Sequence, residues 1–271
     1  MNNNPSIPDT KHGKPFNDQI IEILISAGEI LTKSKNYDLK PIYKSKKDIV
    51  TKIDIEIEHF ISEQIIKNFN HHNIVGEENG GELLNDDYNW IIDPIDGTKN
   101  FFYGHPHYSI VLGLTYGDKI IAGFTYDPNR KEIFHAVQNQ CFFINDKKFN
   151  VSNKVQFNNC FLSAEIPGSG IGSQKTIDFI QKIYAEIIGL RISGSAALSL
   201  AYLASGRADL FICYKLNIWD QIAGIIQITE AGGKVVDRYG EKVSLYSEGI
   251  IAGNEAIVDD FLIKSKSYSW I

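Results

Sequence analysis

The sequence predicts an α/β protein in which an α+β part is followed by an α/β part. Two segments with helical spacing come first, short β-rich runs between turn residues follow, and strands then alternate with helices. A helix pair on an antiparallel sheet, joined to a second α/β layer system, accounts for this order, because the apolar face of each helix and sheet must be buried against another element. We expect a disordered tail at 1–15, an N-terminal lobe at 16–155 and a C-terminal lobe at 156–271.

The first two helices are predicted from apolar residues that recur on one face. Ile20 to Leu31 and Ile53 to Phe69 both show this spacing. Between them, the lysine-rich stretch 33–50 has little periodicity and predicts an exposed, mobile loop. Residues 71–87 are rich in turn formers, so they predict a link into the apolar run that follows.

The rest of the chain predicts a meander and then alternating elements. From Tyr108 to Phe143, β-rich runs are separated by Gly-Asp, Asp-Pro-Asn and Asn-Gln turns. Helices are then expected near 174–187, 195–205 and 219–231, with a last helix at the end of the chain. Glycines follow two of these segments, as is typical of helix C-termini. The apolar runs CFLSAEI, ADLFIC, KVV and GIIAG predict the strands between them.

Composition argues against several classes of protein. The net charge of −6 argues against a general affinity for nucleic-acid polymers. Cys141, Cys160 and Cys213 lie at scattered spacings, which predicts reduced thiols rather than disulfides or a zinc site. The polar start and the lack of about 18 consecutive apolar residues predict a cytoplasmic protein with no membrane segment.

Acidic residues at turns are the strongest sign of function. The run WIIDPIDGTKNF, residues 90–101, ends an apolar strand in Asp93 and Asp96. An unpaired charge buried there would cost several kcal/mol. A strand ending in Asp-Pro-Ile-Asp can direct both carboxylates and the Ile95 carbonyl at one point, and Mg²⁺ prefers such oxygen ligands. Gly97 and Thr98 would then open a short helix whose free N–H groups suit a phosphate.

Each acidic motif has an ordinary structural interpretation when it is considered alone. Asp before Pro or Gly is common turn chemistry. Glu77 and Glu78 lie in a glycine-containing loop that solvent could cover, and Asp220 could simply stabilise a helix start. The combination of these motifs in one chain is much more specific.

In this order, the motifs resemble the inositol monophosphatase family of Mg²⁺-dependent, lithium-sensitive sugar and nucleotide phosphatases. The motifs that carry the resemblance are DIVTKID, VGEEN, WIIDPIDGTKNF, RISGSAALSLAYLASGRADLF and WDQIAGIIQITEAGGKVVD. The resemblance extends from the first helix to the last strand. It implies a layered αβαβα sandwich of the sugar-phosphatase type.

The resemblance also implies a site for two or three Mg²⁺ ions. Glu77, Asp93 and the Ile95 carbonyl would bind the first ion. Asp93, Asp96 and Asp220 would bind the second, and Glu77 would also hold a third, loosely bound ion.

Catalytic and substrate roles follow from the same resemblance. Asp54 would hydrogen-bond Thr98, and this pair, with Glu77, would orient and deprotonate the attacking water. Gly97 and Thr98 would cradle the phosphate through their backbone donors. The other residues implied at the substrate are Gly194, Ser195, Ala196, Cys213 and Asp220.

Two departures from the family pattern bear on the substrate. Cys213 stands where family members that act on inositol phosphates carry a glutamate, seven residues before Asp220. Because cysteine is a weak hydrogen-bond partner, a polyol would lose a contact of about 1.5–3 kcal/mol. Lys99 stands where many inositol phosphatases have threonine, and the motif DGTK is closer to the branch that acts on adenosine 3′,5′-bisphosphate. Against this, GSAALSLAYLASGRAD and HPHYSIVLGL look more like the inositol branch. Lys215 could meet a second anionic group.

Three functions therefore stay open from the sequence. The first is a phosphomonoesterase acting on inositol 1-phosphate or a sugar phosphate, and the second is a 3′(2′),5′-bisphosphate nucleotidase. The third is a binding or regulatory protein of the same fold with little catalytic activity. The expected partners are a small phosphomonoester and, by resemblance, a second copy of the chain in a homodimer, with no membrane or nucleic-acid polymer.

Overall fold

The computed structural model describes residues 6–34, 40–45, 48–69, 71–168 and 170–267. The α-helices in these stretches are α1 (Phe16–Ser34), α2 (Lys52–Asn68), α3 (Thr98–Phe102), α4 (Ile171–Ile183), α5 (Ala196–Ala204), α6 (Ile218–Glu230) and α7 (Glu255–Ser267). The strands are β1 (Ile42–Ser45), β2 (Asp48–Val50), β3 (Asn73–Gly76), β4 (Tyr88–Asp96), β5 (Ser109–Tyr116), β6 (Lys119–Asp127), β7 (Glu132–Val137), β8 (Phe142–Ile144), β9 (Lys147–Phe149), β10 (Phe161–Glu165), β11 (Gly189–Arg191), β12 (Leu210–Cys213), β13 (Lys234–Asp237) and β14 (Ile250–Gly253).

These elements form five layers in the order helix, sheet, helix, sheet, helix. Helices α1 and α2 cover one face of a seven-stranded sheet with strand order β3-β4-β5-β6-β7-β8-β9. Helices α5 and α6 separate this sheet from a five-stranded sheet of order β11-β10-β12-β14-β13. Helices α4 and α7 cover the far face of the second sheet. The predicted α/β class and the αβαβα sandwich are confirmed.

The outer core explains why the first two helices form. Their apolar faces pack against the seven-stranded sheet, where Leu24 and Ile61 share one buried cluster with Trp90 and Leu112. Helix α2 starts at a capping box. The Thr51 side chain accepts a hydrogen bond from the Asp54 backbone N–H, and the Asp54 side chain accepts one from the Thr51 backbone N–H. The capping box fixes the direction in which α2 enters, and it places Asp54 at the end of the helix nearest β4.

Small residues bring the central helices close to their neighbours. A Cβ atom at Gly123 on β6 would lie 2.6 Å from Cα of Ala223 on α6. A Cβ atom at Gly224 would lie 2.6 Å from Cβ of Leu200 on α5. Since real Cβ contacts are never this short, α6 can occupy its place only beside glycine at these two positions. The start of α6, which carries Asp220, is thereby held against the sheet.

A β-bulge shapes the end of β4. Asp93 pairs with Val111 and Asp96 pairs with Ser109, so three residue steps on β4 correspond to two on β5. In a regular strand, residues three positions apart, such as Asp93 and Asp96, would face opposite sides of the sheet. The bulge restores them to the same side and increases the local twist.

The structure differs from the sequence expectations in several short elements. A β1–β2 hairpin lies within the predicted loop, β3 lies within the predicted link and pairs in parallel with β4, and β9 and β11 were not predicted. Strands of three or four residues are too short to show a clear alternation of apolar and polar residues. Residues 35–39, 46 and 47 of the predicted mobile loop lie outside the described residues.

The N-terminal segment also differs from the expectation of a tail. From residue 6 onward it lies against the protein: Ile7 packs on the outer core, and the Lys11 backbone N–H donates to the Asn68 carbonyl at 2.9 Å. Residues 1–5 lie outside the described part. Among the described residues, none of the helices combines the length and the apolar character that a membrane crossing requires.

Candidate active site

Three aspartates that are distant in sequence converge at the end of β4. Asp93 and Asp96 come from the bulged strand, and Asp220 comes from the first turn of α6. One carboxylate oxygen from each lies within 4.8 Å of the other two. The Ile95 backbone N–H donates to Asp93 Oδ1 at 3.0 Å, which orients that carboxylate. Within the described residues, this is the cluster that could hold a metal ion.

The electrostatics of this cluster favour a cation. Burial raises the pKa of Asp93 well above its usual range, and the neighbouring charges of Glu77, Asp96 and Asp220 raise it further. The pKa of Asp220 is raised by burial and by Asp96. Like charges that are held together away from water oppose ionisation. A cation between the carboxylates removes this repulsion, and oxygen ligands of this kind suit hard divalent ions.

Asp96 is also tied to the start of α5. Its carboxylate accepts hydrogen bonds from the backbone N–H groups of Ala196 at 2.9 Å and Ala197 at 3.1 Å. The hydroxyls of Ser109, at 3.1 Å, and Ser195 donate to the same carboxylate. Asp96 therefore accepts hydrogen bonds from backbone N–H groups in the first turn of α5 that have no partner within the helix, although Ala196 lies 100 residues further along the chain.

This arrangement gives the α5 start a contact within the protein, and a substrate contact of Ser195 and Ala196 stays a prediction. The sequence predicted that Gly194, Ser195 and Ala196 would face a substrate. In the structure, Gly194 lines the cleft, but the Ser195 hydroxyl and the Ala196 N–H are directed at Asp96. The physical reason is that a buried carboxylate needs donors, and the helix start supplies them.

The predicted contact between Asp54 and Thr98 is present. The Thr98 hydroxyl lies 3.1 Å from Asp54 Oδ1 and 2.9 Å from the Ile95 carbonyl oxygen, so one proton is shared between two acceptors. Asp54 Oδ2 accepts from the backbone N–H of Thr51 at 2.8 Å and from its hydroxyl at 2.5 Å. Burial raises the pKa of Asp54, while the bonds from Thr51 and Thr98 act in the opposite direction.

Glu77 reaches the cluster from a tight turn after β3. The turn is closed by two backbone hydrogen bonds between Gly76 and Gly80, at 2.9 and 3.0 Å. The Glu77 N–H donates to the Ile92 carbonyl at 3.1 Å, which fastens the turn to β4. The Glu77 side chain lies close enough to Asp93 to raise that residue's pKa. Glu77 is thus placed as a further carboxylate beside the aspartates.

A cleft of about 420 Å³ opens over these residues. Gly97 turns the chain out of β4 with φ of 92°, and together with Thr98 it lines the cleft. Lys99 and Lys215 are exposed at its edge, and in the described part of the chain neither lysine has an ion-pair partner. The residues that complete the lining are Ile49, Glu77, Asp93, Ile95, Asp96, Glu165, Ile166, Pro167, Gly168, Gly194, Cys213, Leu216, Asn217 and Asp220.

Cys213 lies in the wall of this cleft with little freedom. Its side chain is 1% exposed, and its thiol donates to the Lys215 carbonyl at 3.2 Å. Burial raises the pKa of this thiol, which is therefore neutral and unreactive. On the neighbouring strand, Glu165 pairs in register with Cys213. A substrate contact of Cys213 stays a prediction.

Glu165 was missed in the sequence reasoning. Its carboxylate accepts from the backbone N–H of Gly194 at 3.0 and 3.1 Å and from the Ser199 hydroxyl at 3.0 Å. Burial raises its pKa to about 7, which hydrogen bonds from Ser199 and Gly194 partly oppose. The signal was available, since Glu165 lies near the end of the apolar run CFLSAEI, as Asp93 and Asp96 lie at the end of theirs.

Comparisons with known proteins agree with this geometry. The profile of the inositol monophosphatase family matches residues 14–268. A fructose-1,6-bisphosphatase/inositol-1-monophosphatase of Thermotoga maritima is 36% identical over 214 residues, which cover 79% of this chain and 81% of that protein. A putative Nus factor SuhB of Neisseria meningitidis is 32% identical over 92% of this chain and 97% of its own length.

Solved structures give the same result. The extragenic suppressor protein suhB of Bartonella henselae superposes with a TM-score of 0.86 at 32% identity, covering 91% of this chain and 96% of that one. An IMPase of Thermotoga maritima superposes with a TM-score of 0.85 at 32% identity, covering 93% and 97% of the two chains. The match over nearly the whole chain, in sequence and in fold, shows that this protein belongs to the inositol monophosphatase family.

Proposed function

We propose that this protein is a Mg²⁺-dependent phosphomonoesterase that hydrolyses a small phosphorylated alcohol, such as inositol 1-phosphate or a sugar phosphate. The observation that carries the proposal is the convergence of Asp93, Asp96 and Asp220 within 4.8 Å. The aspartates and Thr98 line one cleft, and the Thr98 hydroxyl donates to the buried Asp54 carboxylate behind it. Such a cluster is costly without cations, which supports a metal-assisted reaction over simple binding.

The chain's own residues have distinct tasks in this proposal. Glu77, Asp93 and the Ile95 carbonyl would hold one Mg²⁺, and Asp93, Asp96 and Asp220 would hold the other. A third, weaker ion would share Glu77. When bound, these ions stabilise charge on the phosphate and the leaving oxygen, and they make water a better nucleophile. Gly97 and Thr98, which line the cleft, are the proposed phosphate contacts.

Thr98 and Asp54 supply the path for the proton. The Thr98 hydroxyl can keep its own hydrogen directed at Asp54 Oδ1, 3.1 Å away, and accept a hydrogen bond from the attacking water. As the water oxygen bonds to phosphorus and the bond from phosphorus to the leaving oxygen breaks, the water proton would be taken up by Thr98 Oγ, whose own proton would move to Asp54 Oδ1. The leaving oxygen would take a proton from solvent water to become the alcohol product, and Asp54 would return its proton to solvent. Glu77 assists by orienting the same water. No residue of the chain becomes covalently attached to phosphate in this scheme.

Phosphate release is the decisive measurement. The protein treated with excess chelator should be inactive, should recover with Mg²⁺, and should be inhibited by Ca²⁺, which is larger and tolerates irregular coordination. Lithium inhibition is expected from the family resemblance. Full activity in excess chelator would overturn the proposed mechanism. A panel of phosphomonoesters assayed under the same conditions identifies the substrate class.

A 3′(2′),5′-bisphosphate nucleotide is the alternative substrate, and one observation favours it. Lys99 and Lys215 stand exposed at the cleft edge without an ion-pair partner in the described residues. A second phosphate on the substrate would satisfy them. The buried Cys213 offers a polyol no charged acceptor at the same wall. The ratio of activities on inositol 1-phosphate and adenosine 3′,5′-bisphosphate distinguishes the two substrates.

A binding or regulatory protein of weak activity is the third possibility. Relatives named Nus factor SuhB share about a third of their residues with this chain. The five predicted carboxylates at the site support the phosphatase instead, since their charges would repel one another without bound cations. Absence of phosphate release with Mg²⁺ across the panel, in protein that binds Mg²⁺, would favour the binding protein.

We further infer that the protein forms a homodimer, as the family resemblance suggests. The short strand β11 is an edge of the five-stranded sheet, and the flanking Ile188 and Ile192 are 60% and 50% exposed. Exposed apolar residues beside an open sheet edge are typical of an association surface. Light scattering should therefore give about twice the 30.5 kDa of one chain at micromolar concentration. A single species of the monomer mass would contradict the dimer.

A further inference from the structure

A buried glutamate on α2 has no part in the mechanism above. Glu58 is 1% exposed and does not line the cleft. It lies one helical turn after Asp54, so the two side chains leave α2 on the same face. While Asp54 contacts Thr98, the Glu58 carboxylate faces the turn that carries Glu77.

The Glu58 carboxylate accepts three hydrogen bonds from a turn that lies 20 or 21 residues further along the chain. Oε2 accepts from the Glu78 backbone N–H at 2.8 Å, and Oε1 accepts from the Asn79 backbone N–H at 2.8 Å. The Asn79 side-chain amide also donates to Oε1, at 2.6 Å. A buried carboxylate that accepts several N–H groups forms strong, charge-assisted hydrogen bonds. These three bonds hold the two residues that directly follow Glu77.

The Glu58 carboxylate also packs against Gly76. A Cβ atom at Gly76 would lie 2.2 Å from Oε1 and 2.3 Å from Cδ of Glu58. The carboxylate therefore lies directly against the backbone of Gly76, the residue that precedes Glu77. The turn is thus fixed on both sides of Glu77, by the Gly76–Gly80 bonds and by Glu58.

Glu77 depends on this turn more than the aspartates depend on their surroundings. Asp93 and Asp96 are built into β4, and Asp220 is built into α6, whereas Glu77 reaches the site from a loop. Carboxylates that hold a metal ion must be kept within about 0.5 Å of the right geometry to bind it well. Whatever fixes the loop therefore sets how well Glu77 can serve as a ligand.

We propose that Glu58 is a positioning residue that holds the Gly76–Gly80 turn so that Glu77 is preset to bind a cation. The cation itself rests on the proposed function, but the order of the turn does not. Glu58 touches neither substrate nor cation, so it acts only through Glu77. Removing its charge should weaken the binding of Mg²⁺ while leaving substrate affinity at saturating Mg²⁺ nearly unchanged.

The first arm of the test examines the turn in the ion-free protein. Glu58→Gln keeps the shape but turns an NH₂ group toward one of the backbone donors. Hydrogen exchange should become at least about tenfold faster at whichever of the Glu78 and Asn79 amides faces the new NH₂ group, because that amide loses its acceptor. The matched control is Glu56→Gln, an exposed glutamate on the same helix, which should leave these rates unchanged. Unchanged exchange in Glu58→Gln would overturn the proposal, whatever the protein's activity.

The second arm measures Mg²⁺ binding by calorimetry and the kinetics of phosphate release. Glu58→Gln should weaken Mg²⁺ binding by about tenfold or more, with kcat and KM at saturating Mg²⁺ within about threefold of the wild type. A lower melting temperature with unchanged Mg²⁺ affinity would show a merely structural role and overturn the proposal. Wild-type protein that binds no Mg²⁺ would instead refute the proposed function and leave the exchange result standing.

A milder variant covers the case in which Glu58→Gln does not fold. Asn79→Ala removes one of the three donors and leaves the carboxylate in place. It should shift exchange and Mg²⁺ affinity in the same direction by about threefold. No shift in either quantity in this variant would also overturn the proposal.

Discussion

The cleft has two walls that are built in different ways. The β4 wall, residues 93–99, presents carboxylates to the cleft and obtains its geometry from one bulged strand. In the β10–β12 wall, residues 165–168 and 213–217, the buried polar side chains bond within the protein: Glu165 accepts from Gly194, and Cys213 donates to the Lys215 carbonyl. The Lys215 side chain itself is exposed at the cleft edge. In the proposed function, the β4 wall would perform the chemistry and the β10–β12 wall would select the substrate.

The largest expected effect comes from the carboxylates. Asp220→Asn keeps the shape but removes a charge from the cluster, so kcat should fall by at least about a hundredfold. Melting temperature of the ion-free protein should stay equal or rise, because the variant has one fewer repelling charge in a cluster whose members raise one another's pKa. A variant that retains more than about a third of the wild-type rate at saturating Mg²⁺ would remove Asp220 from the site.

Asp96→Asn should lose activity to a similar extent but behave differently in stability. The asparagine would place an NH₂ group among the donors of Ser109, Ser195 and the first turn of α5. Leaving buried donors without an acceptor costs about 1–3 kcal/mol each, so the melting temperature should fall. Calorimetric melting of both variants checks this contrast, and equal melting temperatures would contradict the assigned contacts.

The variant Glu165→Gln tests whether a buried carboxyl group holds the β10–β12 wall in place. The pKa of Glu165 is raised to about 7 in the folded protein from an ordinary value near 4.5, so the folded state binds the proton more tightly. The stability this contributes is fully present below about pH 4.5 and is lost as the pH rises through about 7. Between pH 5 and 7, the wild type should lose about 2 kcal/mol relative to Glu165→Gln.

Urea unfolding of both proteins at several pH values measures this difference. A stability difference that is the same at pH 5 and pH 7 would show that the carboxyl group does not take up its proton in this range. The activity of Glu165→Gln at pH 8 supplies a second measurement. Since Glu165 holds Gly194 in the cleft lining, we expect a raised KM with little change in kcat.

Cys213→Glu tests the role of the β10–β12 wall in choosing the substrate. A glutamate there would offer an acceptor to vicinal hydroxyls and repel a second phosphate. The ratio of kcat/KM for inositol 1-phosphate over adenosine 3′,5′-bisphosphate should rise by about tenfold, or about 1.4 kcal/mol. If both activities fall together and the ratio stays flat, Cys213 acts only as a buried core residue.

The smallest expected effect is that of Lys215→Ala. If this exposed lysine meets a second anionic group, the same ratio should rise by about threefold, since a partly solvated charge contributes modestly. The melting temperature should not change, because the lysine has no ion-pair partner in the described residues. An unchanged ratio would show that Lys215 is merely solvated and would shift attention to Lys99.

Local sequence was enough for the features that depend on neighbouring residues. The α/β class followed from the order of helical and β-rich segments, the αβαβα sandwich followed from the family resemblance, and the convergence of Asp93 and Asp96 followed from their spacing at a strand end. The capping box that places Asp54 lies within four residues, 51–54. In each case the interacting groups are close in the chain, so composition and spacing contain the information.

Only the tertiary structure decided which groups form hydrogen bonds with the buried carboxylates. Asp96 takes its donors from α5, about 100 residues away, Glu165 holds Gly194, and Glu58 holds the turn of Glu77. No periodicity reports such pairings, because a buried carboxylate can be satisfied by any donors that the fold brings within about 3 Å. The sequence alone determined which carboxylates the site could use, and only the packing of the layers decided what holds each of them in place.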